Sequence, residues 1–256
     1  MSVKGRVAII TGAGRGMGEA DAMLLAKEGA KVVVADINGD NANAVAKKIT
    51  DAGGEAFAFK VDLTKPEEVD ALVQETMNRY GKIEILVSNA GWDELKPFLH
   101  TDFAFWNKIL ELNLKGHMYI AKAVLPHMVK QNYGRIITIG SDAGRLGNPM
   151  EAPYSAAKGG VIAFTKTLAR EFGRNQITAN CVSPGITDTP LATEMQTIIP
   201  DKEKAIKMLE AVKAATPLKR IGKVDDVAWA VFFFASDEVA FITGQTLSVS
   251  GGLTTI

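Results

Sequence analysis

Seven short apolar runs recur along this chain, at 7–11, 31–36, 56–61, 83–88, 135–140, 178–183 and 246–249. Most are rich in Val and Ile and apolar at successive positions, so both of their faces must be covered. Between them lie stretches with helical periodicity, over about 17–28, 40–52, 66–80, 102–131, 153–173, 201–215 and 224–235. Pro66 and Pro153 suit first helical turns, and Gly29, Gly81 and Gly173 suit helix ends. This alternation predicts an α/β fold, a doubly wound parallel sheet of seven strands with helices on both faces. No Pro-rich, Ser-rich or charged linker divides the chain, so residues 1–256 are expected to form a single domain. Its cofactor half would span about 1–150 and its catalytic and substrate half about 151–256.

The bulk numbers remove several function classes. The 256 residues are 47% apolar, enough for a sizeable core. Twenty-nine basic and 29 acidic residues are intermixed, so no block of charge points to nucleic acid or to a membrane surface. The single Cys181 leaves no internal disulfide and no cysteine-based zinc site. The histidines at 100, 117 and 127 show no ligand spacing, so no metal is expected. The first strand starts almost at the N-terminus, no signal-peptide pattern precedes it, and no apolar run reaches membrane-spanning length. A cytoplasmic protein is expected.

The first strand runs directly into TGAGRGMG. Gly12, Gly16 and Gly18 allow a tight turn and close backbone approach to a phosphate. The following helix aims its positive N-terminus at the same place. The turn thus suits a dinucleotide, and the fold reads as Rossmann-type. Asp36 ends the second strand, where a carboxylate can bind both hydroxyls of an adenosine ribose and repel a 2′-phosphate. Ile37 follows where a basic residue would suit a phosphate, so NAD is favoured over NADP. Arg15, inside the turn, is the contrary hint. Asp62 ends the third strand and could accept from an adenine amino group; an Asx turn before Pro66 explains it almost as well. Asn89-Ala90-Gly91 ends the fourth strand, with small residues beside the ribose and an amide able to tie strands together.

Tyr154 and Lys158 are four residues apart, hence on one helical face. An ammonium beside a phenol favours the phenolate and lowers its pKa. A phenol tuned in that way can take a proton from an alcohol or return one to a ketone. Ser141, at the preceding strand end, can hydrogen-bond the same substrate oxygen. Y-x-x-x-K alone is common and equally describes a half-buried tyrosine and a solvated lysine, so its weight comes from the other motifs.

Together these motifs resemble the short-chain dehydrogenase/reductase family over the whole chain. The pattern is carried by Thr11-Gly12, Gly16, Gly18, Asp62, Asn89-Ala90-Gly91, Asn113, Ser141, Tyr154, Lys158 and Pro184-Gly185. The resemblance implies that Asn113 completes a catalytic tetrad by holding a water that links Lys158 to solvent. It implies that Thr189 contacts the nicotinamide carboxamide, with Pro184, Gly185 and Thr187 nearby. Arg15, Met17, Ile37 and Leu63 complete the candidate cofactor contacts. The C-terminal third looks like a tetramer-forming tail, so a homotetramer is expected. Ser88 and Thr187 depart from the family's usual residues without removing a catalytic group.

The substrate is less legible. Its walls should come from 92–98, 142–151 and 186–216, with Trp92, Asp142, Leu146, Met150, Leu191 and Met195 as candidates. Most of these side chains are apolar, which suits an alicyclic, aromatic or acyl substrate or a simple packed lid. NAGWDELKPF, SDAGRLG and SPGITDTPL look like 2-hydroxycyclohexanecarboxyl-CoA dehydrogenases, which oxidise a ring alcohol of a CoA thioester with NAD. Lys202, Lys204 and Lys207 could meet CoA phosphates or form a solvated face. The alternatives are a 3-oxoacyl-ACP or 3-oxoacyl-CoA reductase, a dehydrogenase of a free cyclic or aryl alcohol, and a non-catalytic dinucleotide-binding regulator.

Overall fold

The computed structural model describes residues 1–197 and 202–255. Seven strands form one sheet: β1 (Val7–Thr11), β2 (Lys31–Asp36), β3 (Glu55–Lys60), β4 (Ile85–Ser88), β5 (Gly134–Ile139), β6 (Ile177–Pro184) and β7 (Thr246–Val249). All pairs are parallel, in the order β3-β2-β1-β4-β5-β6-β7. The chain runs outward from β1 to β3 and then restarts at β4 on the other side of β1. That reversal leaves a crevice at the carboxyl ends of the strands.

Among the described residues ten helices accompany the sheet: α1 (Gly16–Lys27), α2 (Gly39–Asp51), α3 (Pro66–Tyr80), α4 (Phe103–Leu110), α5 (Gly116–Gln131), α6 (Ala143–Leu146), α7 (Ala152–Phe172), α8 (Pro190–Thr197), α9 (Lys202–Ala215) and α10 (Val224–Ala235). Successive strand residues point to opposite faces. Ala8, Ile10, Val32, Val34, Ile85 and Val87 pack with α1, α2 and α10 through Leu25, Ile49 and Val231. Ile9, Val33, Leu86 and Ile136 pack with α3, α5 and α7 through Leu72, Val124 and Leu168. The doubly covered strands β1, β4, β5 and β6 are buried at every residue, whereas the edge strands β3 and β7 are only partly covered. Pro66 opens α3, and Gly81 closes it in the left-handed region at φ 69°.

The structure departs from the sequence expectation in several places. The helix expected over 102–131 is broken by a π-turn, Glu111–Lys115, between α4 and α5. At its centre Asn113 donates its side-chain amide to the Ile109 carbonyl, four residues back, at 3.0 Å. Single π-turns of this kind re-aim a side chain within an otherwise regular helix. The fourth strand starts at Ile85 rather than at residue 83. Ile83 N–H instead donates to the Gln131 side chain, and the Glu84 carboxylate accepts from Val7 N–H and pairs with Arg6 and Lys82. The short helices α6 and α8 were not expected; each is too brief to show a helical period in sequence. After α7, Gly173 is not left-handed but starts a 3-10 turn; Gln176 takes the left-handed conformation at φ 55°.

One polar group sits in the α1 face of the core. Asp21 is fully buried, and neither carboxylate oxygen has a hydrogen-bond partner among the described residues. Burial pushes its pKa well above the usual carboxylate range. A raised folded-state pKa stabilises fully below the unfolded value of about 4 and is lost as pH rises toward the folded value. Asp21→Asn removes that loss. Denaturant unfolding at about pH 7 should show the variant more stable by about 1–3 kcal/mol, the gain vanishing near about pH 4. A difference independent of pH would contradict this assignment.

Candidate active site

The crevice at the carboxyl edge is a cleft of about 780 Å3. Its floor is the turn after β1. Gly12 has φ 62°, and a Cβ there would lie 2.8 Å from the Ala90 Cα. A Cβ on Gly18 would lie 2.3 Å from the Gly12 carbonyl oxygen and 2.6 Å from the Asn89 amide nitrogen. Neither position has room for a side chain, so the turn packs directly on the end of β4. Asn89 locks that contact: its amide donates to the Thr11 and Gly12 carbonyls, and Thr11 Oγ1 accepts from Asn89 and Ala90 N–H. The turn leads straight into α1, whose N-terminus carries free N–H groups and positive partial charge.

Asp36 closes one end of the cleft. Its carboxylate accepts from Gly14 N–H at 2.8 Å and from Asn38 N–H at 2.8 Å, which fixes it beside the turn. The Arg15 guanidinium forms a two-pronged ion pair with Glu194 on α8. It therefore bridges the glycine turn to the far wall of the cleft. A glycine cradle at a helix N-terminus with a carboxylate at the end of β2 fits a dinucleotide. Asp62, Leu63 and Thr64 line the same end of the cleft, and the Asp62 carboxylate accepts from Thr64 N–H in an Asx turn. That accounts for one oxygen and leaves both sequence readings of Asp62 compatible with the geometry.

At the other end lie Ser141, Tyr154 and Lys158. Ser141 follows β5, and α7 carries Tyr154 and Lys158 on one face. Lys158 is 2% exposed. Its Nζ donates to the Ile139 carbonyl at 2.8 Å and stands 5.6 Å from the Tyr154 ring centre. Asn113 is completely buried and bonds to both polar atoms of the Trp92 peptide: Trp92 N–H donates to Oδ1 at 3.1 Å, and Nδ2 donates to the Trp92 carbonyl at 2.7 Å. A Cβ on Gly91 would meet Asn113 Oδ1 at 2.8 Å and Lys158 Nζ at 3.5 Å. Gly91, Asn113 and Lys158 thus close on one another.

Burial dominates the electrostatics. It lowers the Lys158 pKa to about 8. It raises the Tyr154 pKa above its ordinary value, assisted by the negative charges of Asp93 and Glu151 and opposed by a hydrogen bond with Ser141. The expectation that Lys158 would lower the phenol pKa is not met here: desolvation and the nearby carboxylates dominate at Tyr154, and both groups lean toward their neutral forms. A neutral phenol is a proton donor.

The remaining sequence candidates divide. Met17, Ile37, Ala90, Trp92, Pro184, Gly185, Thr189 and Leu191 line the cleft with the residues above. Thr187 is 6% exposed, with its hydroxyl on the Gly185 carbonyl, and stands behind the wall. Asp142 does not line the cleft; its carboxylate accepts from Ser248 at 2.7 Å and ties the loop to β7. Leu146 and Met150 are exposed and also outside the cleft. The Met195, Lys202 and Lys204 side chains lie outside the described residues, and Lys207 is exposed. Sequence reasoning passed over Asn107, Lys108, Glu111 and Leu112, which form the outer wall. Lys108 Nζ sits 3.4 Å from the Trp92 ring centre. Its place one turn before Asn113 was the available signal. Ser88, the departure from the family pattern, pairs with the buried His117 Nδ1 at 2.8 Å, and burial pushes the His117 pKa well below its usual value.

Comparison with known proteins agrees with this geometry. Residues 12–254 match the protein-family model described as Enoyl-(Acyl carrier protein) reductase. The 3-oxoacyl-[acyl-carrier-protein] reductase FabG of Thermotoga maritima is 34% identical, covering 99% of both chains. The (2S)-[(R)-hydroxy(phenyl)methyl]succinyl-CoA dehydrogenase subunit BbsD of Thauera aromatica is 37% identical over 98% of both. The crystal structure of levodione reductase superposes with a TM-score of 0.93 at 30% identity, covering 97% of each chain. With its cleft, its strand-end motifs and these relatives together, the chain belongs to the short-chain dehydrogenase/reductase family and is an oxidoreductase that interconverts secondary alcohols and ketones.

Proposed function

We propose that this enzyme is an NAD-dependent dehydrogenase of a cyclic 2-hydroxyacyl-CoA, a thioester whose ring alcohol lies on the carbon β to the carbonyl. The grouping of Tyr154, Lys158 and Ser141 at one end of the cleft, with Asn113 buried against Gly91 and Trp92 beside them, carries the chemistry. Two relatives support the thioester, since their names specify a succinyl-CoA alcohol and a 3-oxoacyl carrier-protein ketone. The apolar Trp92, Leu112 and Leu191 beside the catalytic end suit a ring better than a charged group. A 3-oxoacyl thioester reductase is the second reading, favoured by the several FabG relatives.

In oxidation, Ser141 and Tyr154 hydrogen-bond the substrate hydroxyl, and the Tyr154 oxygen takes its proton. A nicotinamide held at the Ser141–Tyr154–Lys158 end of the cleft would supply the hydride acceptor for the carbinol carbon and, in its oxidised form, a positive charge favouring the phenolate. Lys158 stabilises the phenolate from the same face of α7 and orients the cofactor ribose. The proton leaves through Lys158 and the water expected at Asn113. In reduction the neutral phenol favoured by burial is already the acid that the ketone needs. Positioning and acid–base chemistry together are sufficient for a large acceleration.

NAD is preferred in this reading because the fixed Asp36 carboxylate would face a 2′-phosphate across the cleft. Arg15, the residue in the glycine turn that hinted at NADP, is already engaged by Glu194. A homotetramer fits the apolar side chains Trp229, Phe241 and Leu247 that the C-terminal third leaves in solvent. The expected compartment is the cytoplasm.

Tyr154→Phe should cut turnover at least about 1,000-fold while NADH binding, followed by fluorescence, is retained. Retained turnover would remove Tyr154 from its role. Asp36→Ala should shrink the ratio of kcat/KM with NAD to that with NADP by about tenfold or more; an unchanged ratio would refute the ribose contact. Formation of NADH with 2-hydroxycyclohexanecarboxyl-CoA, 3-hydroxybutyryl-CoA and free cyclic and aryl alcohols tests the substrate. Preference for the cyclic thioester is expected, and turnover of free alcohols alone would overturn the thioester assignment.

A further inference from the structure

Behind the catalytic tyrosine the structure brings two carboxyl groups together, Asp93 buried and Glu151 half-buried. Asp93 follows Trp92 in the loop after β4 and is 4% exposed. Glu151 is the residue immediately before α7, three positions ahead of Tyr154. The two side chains are within hydrogen-bond reach of one another. Asp93 Oδ2 has no donor partner among the described residues. Carboxylates only accept, so two of them can bond only through a proton. Glu151 is held from the other side by the Asn148 amide, which donates to Oε2 at 2.8 Å. Lys96 N–H donates to the Met150 carbonyl at 2.9 Å, a backbone bond that joins the same two loops.

We propose that Asp93 is a positioning residue that shares one proton with Glu151, pinning the N-terminus of α7 to the β4 loop and keeping a second negative charge away from Tyr154. The charged and titratable groups that face it are Glu151, Tyr154 and Lys158, all on or at the start of α7. Burial and the Glu151 charge raise the Asp93 pKa to about 7, so the shared proton is lost just above neutrality. Two carboxylates then lie beside the phenol. Each disfavours the phenolate, and they repel each other across the clip. Asp93 does not line the cleft, so its influence reaches substrate only through Tyr154 and the loop. This inference rests on the reading of Tyr154 as the acid–base group, and one arm of its test does not.

The substrate-independent arm is infrared absorption of protonated carboxyl groups. Between about pH 6 and about pH 9 the unmodified enzyme should lose a band that Asp93→Asn lacks throughout. Loss of the same band in both proteins, or in neither, overturns the shared proton. The kinetic arm compares kcat/KM for alcohol oxidation at those two pH values. Asp93→Asn keeps a donor for Glu151 but cannot charge, so its rise in kcat/KM with pH should exceed that of the unmodified enzyme by about threefold or more. An equal loss at both pH values would mean packing alone and would overturn the proposal. Glu151→Gln also removes one of the two charges and should act in the same direction, which keeps the test decisive if Asp93→Asn fails to fold. If no alcohol is turned over, the functional reading fails and the infrared result still decides the shared proton.

Discussion

Asn113 bonds to both polar atoms of the Trp92 peptide, and much of the cleft depends on that pair of hydrogen bonds. A regular helix over 102–131 would not hold its carboxamide in this relation to the loop after β4. The π-turn inserts one residue into the helical ladder and re-aims the side chain. The cost is a disrupted hydrogen-bond ladder, offset locally by the amide bond to the Ile109 carbonyl. With Trp92 fixed, Gly91 is pressed between Asn113 and Lys158, and no larger residue fits there. Lys158 in turn is held by the carbonyl at the end of β5. Three separate segments of the chain therefore converge on one ammonium group.

The same logic organises the cofactor end. Asn89 joins β4 to the turn after β1, and Gly18 is packed so closely on the Gly12 carbonyl that even a methyl group is excluded. The two ends of the cleft share the β4 terminus, since Asn89, Gly91, Trp92 and Asp93 are nearly consecutive. A short loop at the topological switch point thus positions the glycine turn, Lys158 and the proposed carboxyl pair together.

Much of this was legible in sequence because burial on both faces leaves a strong mark. β1, β2, β4, β5 and β6 read as apolar runs, and the residues at their ends are the glycines, Asn89, Ser141 and Asp36 that the cleft uses. The π-turn was not legible, because ELNLK carries an ordinary helical pattern and only the Trp92 contact explains the extra residue. Leu146 and Met150 looked like walls because they are large and apolar, yet they face solvent. Asp142 was a candidate for the substrate wall, but its bond to Ser248 depends on a strand more than one hundred residues later. Asp93 escaped notice for the same reason: in NAGWDEL it reads as a loop carboxylate, and only the fold brings Glu151 against it.

If the Asn113–Trp92 closure builds the proposed acid–base site rather than merely stabilising a helix, hydride transfer must depend on Asn113. Single-turnover hydride transfer, followed as NADH absorbance in Asn113→Ala at saturating NAD and alcohol, tests it most directly. A transfer step at least about 100-fold slower is expected, in a chain that still folds and binds NADH. An unchanged transfer rate in that folded variant would contradict it.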